Sequence, residues 1–319
     1  MDAYVWRRIR VFFEALCFHG NIPTAQIREL IKQSDVQQSP HVRRKPMSGL
    51  RLVAFIVAAG AAFSVGAASV SAADITWYGQ SALKIVSPGG KVILVDPFIS
   101  KNPKTPEAMK DLSKIGKVDL VLVTHGHGDH IGDTVVIMKA NPDAKLGINA
   151  DMGHTFASLG MVGYKQMIRF NKSGPIKPFD GITVTMVHAE HSSEVVHTDA
   201  DGNKSVHPGG EPAGYIIQLE DGYKIYHAGD TGVFADMAFI GSYYQPDLEF
   251  LPIGGHFTMD PTHAAYAIKN LLKSKTVMPI HYGTFKPLKG TPEQLKAALR
   301  NSSTNVVAMQ PGDTMTFKN

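Results

Sequence analysis

The spacing of apolar and polar positions changes repeatedly beyond Asp74. ITWYGQSALKIV (75–86) and KVILVDPF (91–98) are rich in β-branched and aromatic residues. They flank Pro88, Gly89 and Gly90, which predicts a hairpin. VDLVLVTH (118–125) is a short unbroken apolar run, the pattern of a buried strand, and it ends in a glycine-rich loop. Residues 133–140 predict a helix that stops near Asn141-Pro142. KLGINA (145–150) predicts a strand, 152–159 a short helix and ITVTMVHA (182–189) an alternating strand. AGYIIQLE (213–220) and YKIYHAGD (223–230) flank Asp221-Gly222, a second hairpin signal. LEFLPIG (248–254) and TVMPIHYG (276–283) predict buried strands. Asp260-Pro261 opens a helix to about Lys273, TPEQLKAALRN (291–301) predicts a capped helix, and the tail predicts a strand pair. Residues 192–212 are polar with Gly and Pro, and predict a mobile loop beside a site. Interleaved strands and helices imply a layered α/β domain over 74–319. No fixed repeat points to a solenoid.

The pattern before Asp74 differs. Residues 52–73 carry no charge and follow Arg43, Arg44, Lys45 and Arg51. A basic stretch, an apolar run and small residues at Ser71, Ala72 and Ala73 describe an export signal over 47–73, starting at Met47. Cleavage after Ala72 or Ala73 would deliver the body to the periplasm or the medium; left uncleaved, the run is long enough to anchor it in a membrane. Residues 1–46 read as an N-terminal extension, either a misassigned start or a short helix.

Charge and cysteine content narrow the classes. The net charge is +4, but nine of the 32 Lys/Arg and four of the 28 Asp/Glu fall in 1–73. The body therefore carries about −1, with no basic run for nucleic acid. The single cysteine, Cys17, lies in the leader. A disulfide framework and a cysteine-rich metal site are both excluded.

The decisive chemistry sits in Thr124-His125-Gly126-His127-Gly128-Asp129-His130. Imidazoles and a carboxylate are ligands for zinc, and for iron or manganese. The alternate spacing of His125 and His127 lets both reach one ion from an extended loop, while Asp129 and His130 diverge and can reach a second. Gly126 and Gly128 allow the loop to fold tightly.

The His125-x-His127-x-Asp129-His130 pattern resembles the signature of the metallo-β-lactamase superfamily. That resemblance spans about 75–319 and implies an αββα sandwich with a dinuclear metal site on one edge. It also implies a later His, a bridging Asp and a final His, slots that His191, Asp230 and His281 can fill. One metal would take His125, His127 and His191; the other would take Asp129, His130 and His281, with Asp230 shared. His188 is the alternative to His191, and Asp230 could instead be an ordinary turn residue. LPIGGHFTM (251–259) and PIHYGTF (279–285) look like a narrower branch, similar to ascorbate-6-phosphate lactonase and to uncharacterised metal-dependent hydrolases. In the β-lactamases, some subclasses use a cysteine ligand and the remaining one lacks the bridging carboxylate, so the resemblance points away from β-lactams. The expected activity is hydrolysis of a small ester, lactone or phosphodiester by a hydroxide shared between two divalent ions, most simply zinc. A phospholipase-type phosphodiesterase and a metal-binding protein with vestigial catalysis are the alternatives. Asp129, Asp230 and His256 are the residues expected to take part in the chemistry. His256, after two glycines at a strand end, could bind substrate or stabilise a developing oxyanion. Asp96 could orient a ligand or simply shape a turn, and His227 is expected to be buried.

Overall fold

The computed structural model describes residues 72–318. The expected signal, the 1–46 extension and Cys17 lie outside the described residues, apart from Ala72 and Ala73 at the end of the predicted signal.

Two seven-stranded sheets face each other. The first runs β16-β1-β2-β3-β4-β5-β6 and the second β15-β14-β13-β12-β11-β8-β7. Sheet one comprises β1 (Ala73–Gly79), β2 (Ala82–Val86), β3 (Val92–Val95), β4 (Leu120–Leu122), β5 (Lys145–Asn149), β6 (Met167–Phe170) and β16 (Thr314–Phe317). Sheet two comprises β7 (Ile176–Phe179), β8 (Ile182–His188), β11 (Ala213–Gln218), β12 (Lys224–His227), β13 (Leu248–Pro252), β14 (Thr276–Ile280) and β15 (Asn305–Val306). In each sheet the antiparallel part gives way to parallel strands, β3-β4-β5-β6 and β12-β13-β14-β15.

Both faces of the central strands are buried, which is why β4, β13 and β14 read as continuous apolar runs. Between the sheets, Trp77, Leu83, Ile85, Leu120 and Leu122 pack against Val184, Tyr215, Ile225, Phe250 and Met278. On the outer face of sheet one lie α1 (Gly128–Ile131), α2 (Thr134–Ala140) and α3 (Ala150–Ser158). Their Ile137, Met152 and Phe156 meet Leu94, Val121 and Ile148. Over sheet two lie α4 (Met237–Phe239, widening through Ile240–Tyr244), α5 (Pro261–Tyr266, widening through Ala267–Leu272) and α6 (Pro292–Ala298). This is the αββα order.

The helix starts follow from their caps. Asp260 accepts from the N–H groups of Thr262 and His263 ahead of Pro261, and Thr291 forms a reciprocal capping box with Gln294. Both predicted hairpins are present as β2-β3 and β11-β12.

Three expectations are corrected. Residues 75–86 are two antiparallel strands, broken at Gln80 and Ser81. The tail strands do not pair with each other: β15 joins β14 and β16 joins β1. Residues 192–212 are not an unstructured loop but mainly a hairpin of β9 (Glu194–Thr198) and β10 (Lys204–Pro208), whose strands pair with each other. Its base is tied down, since Thr155 donates to the Pro208 carbonyl at 2.7 Å and the Gly209 N–H to the Ser193 carbonyl. The pattern also missed β6 and β7.

Candidate metal centre

The loop after β4 carries four of the expected donors. Its path is set by Asp96, which ends β3 in the left-handed region at φ +47°. The Asp96 carboxylate accepts from the Thr124 N–H at 2.8 Å, from the Thr124 hydroxyl at 2.7 Å and from His130 Nδ1 at 2.7 Å. Asp96 is thus an orienting residue rather than a plain turn. With its hydrogen given to Asp96, the Thr124 oxygen is free to accept from His125 Nδ1, 3.0 Å away. These bonds leave Nε2 of both His125 and His130 facing the cavity, the form in which imidazole donates a lone pair.

His127 is turned the other way. Its Nδ1 lies 3.0 Å from His125 Nε2, and its Nε2 meets Glu194 of β9 at 3.3 Å. Gly126 is required at this point: a Cβ there would sit 2.8 Å from the Glu194 main chain. Gly128 has open space instead, so Gly126 is the glycine whose lack of a side chain the packing uses.

Sheet two supplies the other three. His191 lies past β8, Asp230 past β12 and His281 directly after β14. Asp230 Oδ2 is 2.9 Å from His281 Nε2 and 3.6 Å from His191 Nε2, and its Oδ1 is 3.3 Å from His130 Nε2. Asp129 Oδ2 is 3.5 Å from His281 and 3.8 Å from His130. The donor atoms fall into three overlapping groups, each within 4.8 Å: His125-His127-His191, His125-His130-Asp230 and Asp129-His130-His281. All seven expected donors therefore converge. His188 does not join them; it contacts Lys172, Glu190 and Phe234.

The chemistry of the set fits divalent cations. His130 Nε2 and Asp230 Oδ1 are buried without a hydrogen-bond partner, as is His281 Nδ1. Unpartnered polar atoms at this depth are costly, and a cation between the first two would satisfy both. The charges point the same way. Burial opposes a charged His130, but Asp230, Asp96 and Asp129 outweigh it and hold its pKa well above the ordinary histidine value. Burial likewise opposes charge on His281, yet Asp230 and the bonds to Asp129 and Asp230 push it up to about 9. Burial disfavours ionised Asp230, but His281 and His130 prevail and hold it well below the usual carboxylate range. His125 and His191 are shifted down, chiefly by burial.

Several surrounding residues have clear roles. His227 is buried; its Nε2 faces the Ser81 carbonyl at 2.9 Å and its Nδ1 accepts from the Gly229 N–H. Tyr282 packs its ring on Trp77 at 5.5 Å. His256 is exposed at φ +63° with its ring against Phe257, and it belongs to none of the three donor groups. Sequence reasoning missed Gln80 and Glu194. Gln80 falls inside what read as one strand, and Glu194 inside what read as a mobile loop, so no local pattern marked either.

An αββα sandwich with His/Asp donors gathered at the strand ends defines a metallo-hydrolase of the metallo-β-lactamase fold. The family described as "Beta-lactamase superfamily domain" matches residues 91–282, which include all seven donors. The chain is 49% identical over 256 residues to a UPF0173 metal-dependent hydrolase of Cupriavidus necator, covering 79% of this chain and 88% of the relative. It is 45% identical over 284 residues to one of Polynucleobacter asymbioticus, covering 86% and 99%. Among solved structures, Igni18, a metallo hydrolase from Ignicoccus hospitalis, superimposes with a TM-score of 0.66 at 37% identity, covering 78% of this chain and 99% of Igni18. The chain belongs to the β-lactamase superfamily, within the UPF0173 metal-dependent hydrolases.

Proposed function

We propose that this metal-dependent hydrolase works with two divalent cations on a small ester, lactone or phosphodiester. The observation that carries the reading is the placement of Asp230. Its Oδ2 lies within 3.6 Å of His191, from one expected donor set, and 2.9 Å from His281, from the other. A carboxylate so placed is the natural bridge between neighbouring ions. His125, His127 and His191 would hold the first ion and Asp129, His130 and His281 the second. Zinc suits the nitrogen-rich set, with manganese or iron as alternatives. Such ions, when bound, would supply a water whose pKa falls to about 7 and a Lewis acid for the scissile carbonyl or phosphoryl oxygen.

The chain's own residues supply the rest. Asp129 and Asp230 fix the donor geometry and would hold the ions that activate the water. Glu194 braces His127, and Asp96 braces His130 directly and His125 through Thr124. His256 sits on the loop after β13, where it can meet the substrate or the oxyanion as charge develops. The body's charge of about −1 favours a small-molecule substrate over a nucleic acid.

Turnover of metal-loaded protein against lactones, p-nitrophenyl esters, bis-p-nitrophenyl phosphate and nitrocefin tests this reading. Hydrolysis of a lactone or ester is expected, with nitrocefin spared. Cleavage of bis-p-nitrophenyl phosphate alone selects the phosphodiesterase, and no turnover at all selects the metal-binding protein. Asp230→Ala is expected to lose metal and activity together; two ions retained per chain would remove Asp230 as a bridge. His256→Ala is expected to keep its metals and slow turnover by about tenfold or more, and unchanged turnover would leave it a loop residue.

A further inference from the structure

Gln80 is completely buried, at φ +51°, in the break between β1 and β2. Its main-chain carbonyl accepts from the His281 N–H at 3.0 Å and from the Trp77 indole at 3.0 Å. The residue is thereby fixed to the very position that carries a donor from sheet two. Its side chain enters the centre: Nε2 lies 2.8 Å from Asp129 Oδ2 and 2.7 Å from His281 Nε2, while Oε1 is buried without a partner. Left-handed backbone in a residue other than glycine, together with an orphaned buried carbonyl, is the kind of strain that persists at functional sites.

The distances match a shared coordination shell. Donors about 2.1 Å from one ion at right angles lie about 3 Å apart. The two ends of a carboxamide exchange by a half-turn, and the surrounding hydrogen bonds decide which end faces inward. Without a cation, an NH2 group here has the Asp129 carboxylate to donate to. With a cation, the Asp129 lone pairs turn to the ion and the NH2 loses that acceptor. The oxygen then has the stronger claim to the position. We propose that Gln80 is a further metal ligand, placing its carboxamide oxygen on the ion held by Asp129, His130 and His281. The proposal rests on the metal-centre reading above and adds an eighth donor to it.

Cobalt(II) titration of the full-length chain tests it without any substrate, read by bound-ion stoichiometry and visible d–d absorption. Gln80→Met keeps the bulk but removes the oxygen. One of the two cobalt equivalents should bind at least tenfold more weakly, and its absorption should intensify as the coordination number falls. Gln80→Glu restores an oxygen and should restore tight binding and a wild-type-like spectrum. Wild-type affinity and spectrum in Gln80→Met would overturn the proposal. So would weak binding by both variants alike, which would mark Gln80 as a packing residue. If the wild-type chain takes up fewer than two cobalt ions, the two-ion reading fails first, and the proposal with it.

Discussion

His281 shows how a metal centre is stabilised without its cations. Its charge offsets those of Asp230 and Asp129, which is why it holds a proton up to about 9. The stabilisation from this raised value is complete below the unfolded histidine value of about 6.5 and disappears as pH rises through about 9. Metal uptake has the opposite sign, since the ion must displace that proton. Zinc or manganese binding at neutral pH is therefore expected to release at least one proton per chain. Affinity should climb about tenfold per pH unit for each proton displaced, levelling near the His281 value. Calorimetry in buffers of different ionisation enthalpy measures the release, and affinity independent of pH would contradict the assignment. At this scale the sequence was informative where donors are adjacent in the chain, as in 125–130. His191, Asp230 and His281 came through the family resemblance. Gln80 and Glu194 gain their roles only from the way distant strands meet.

At the level of elements, the donors sit where strands stop. Gln80 follows β1, Asp96 follows β3 and His281 follows β14, all three in the left-handed region. Each strand ends in an abrupt change of direction that turns a side chain toward the centre. The loop after β13 supports this arrangement through a close approach: a Cβ on Gly254 would lie 2.2 Å from the His281 carbonyl oxygen. Gly254→Ala is expected to cost about 1–3 kcal/mol of stability and to weaken metal binding by shifting His281. Urea unfolding and metal titration check both, and a variant unchanged in each would show that the loop yields freely. Hairpins with Pro-Gly-Gly or Asp-Gly turns were legible because those residues dictate a reversal. The break at Gln80 and Ser81 carries no such residue, so β1 and β2 read as one. The β9–β10 pair was hidden by its polar composition.

The whole molecule joins two sheets at this centre. His125, His127, Asp129 and His130 come from the loop after β4 of sheet one, whereas His191, Asp230 and His281 follow strands of sheet two. Bound cations would therefore tie the layers together as well as serve the chemistry. Saturation at about a hundred times the dissociation constant should add about 2.7 kcal/mol per ion, and each ion raises the melting temperature by roughly 5–10 °C for a domain of this size. Thermal unfolding with added zinc and with EDTA measures the difference, and identical midpoints would show that the layers hold independently of the ions. The layered α/β class followed from the alternation of strands and helices. The sandwich order came from the resemblance, because apolar runs do not say which strand is whose neighbour.

The β9–β10 hairpin has one further consequence. At its root Glu194 braces His127, while Val196 and Val206, paired farther along the ladder, remain 57% and 69% exposed. The root answers to the cations and tolerates little change. The outer portion answers only to whatever approaches from solution. Exchange of these two valines for polar residues therefore leaves the bond to His127 untouched, so the tip can be reshaped without disturbing the root.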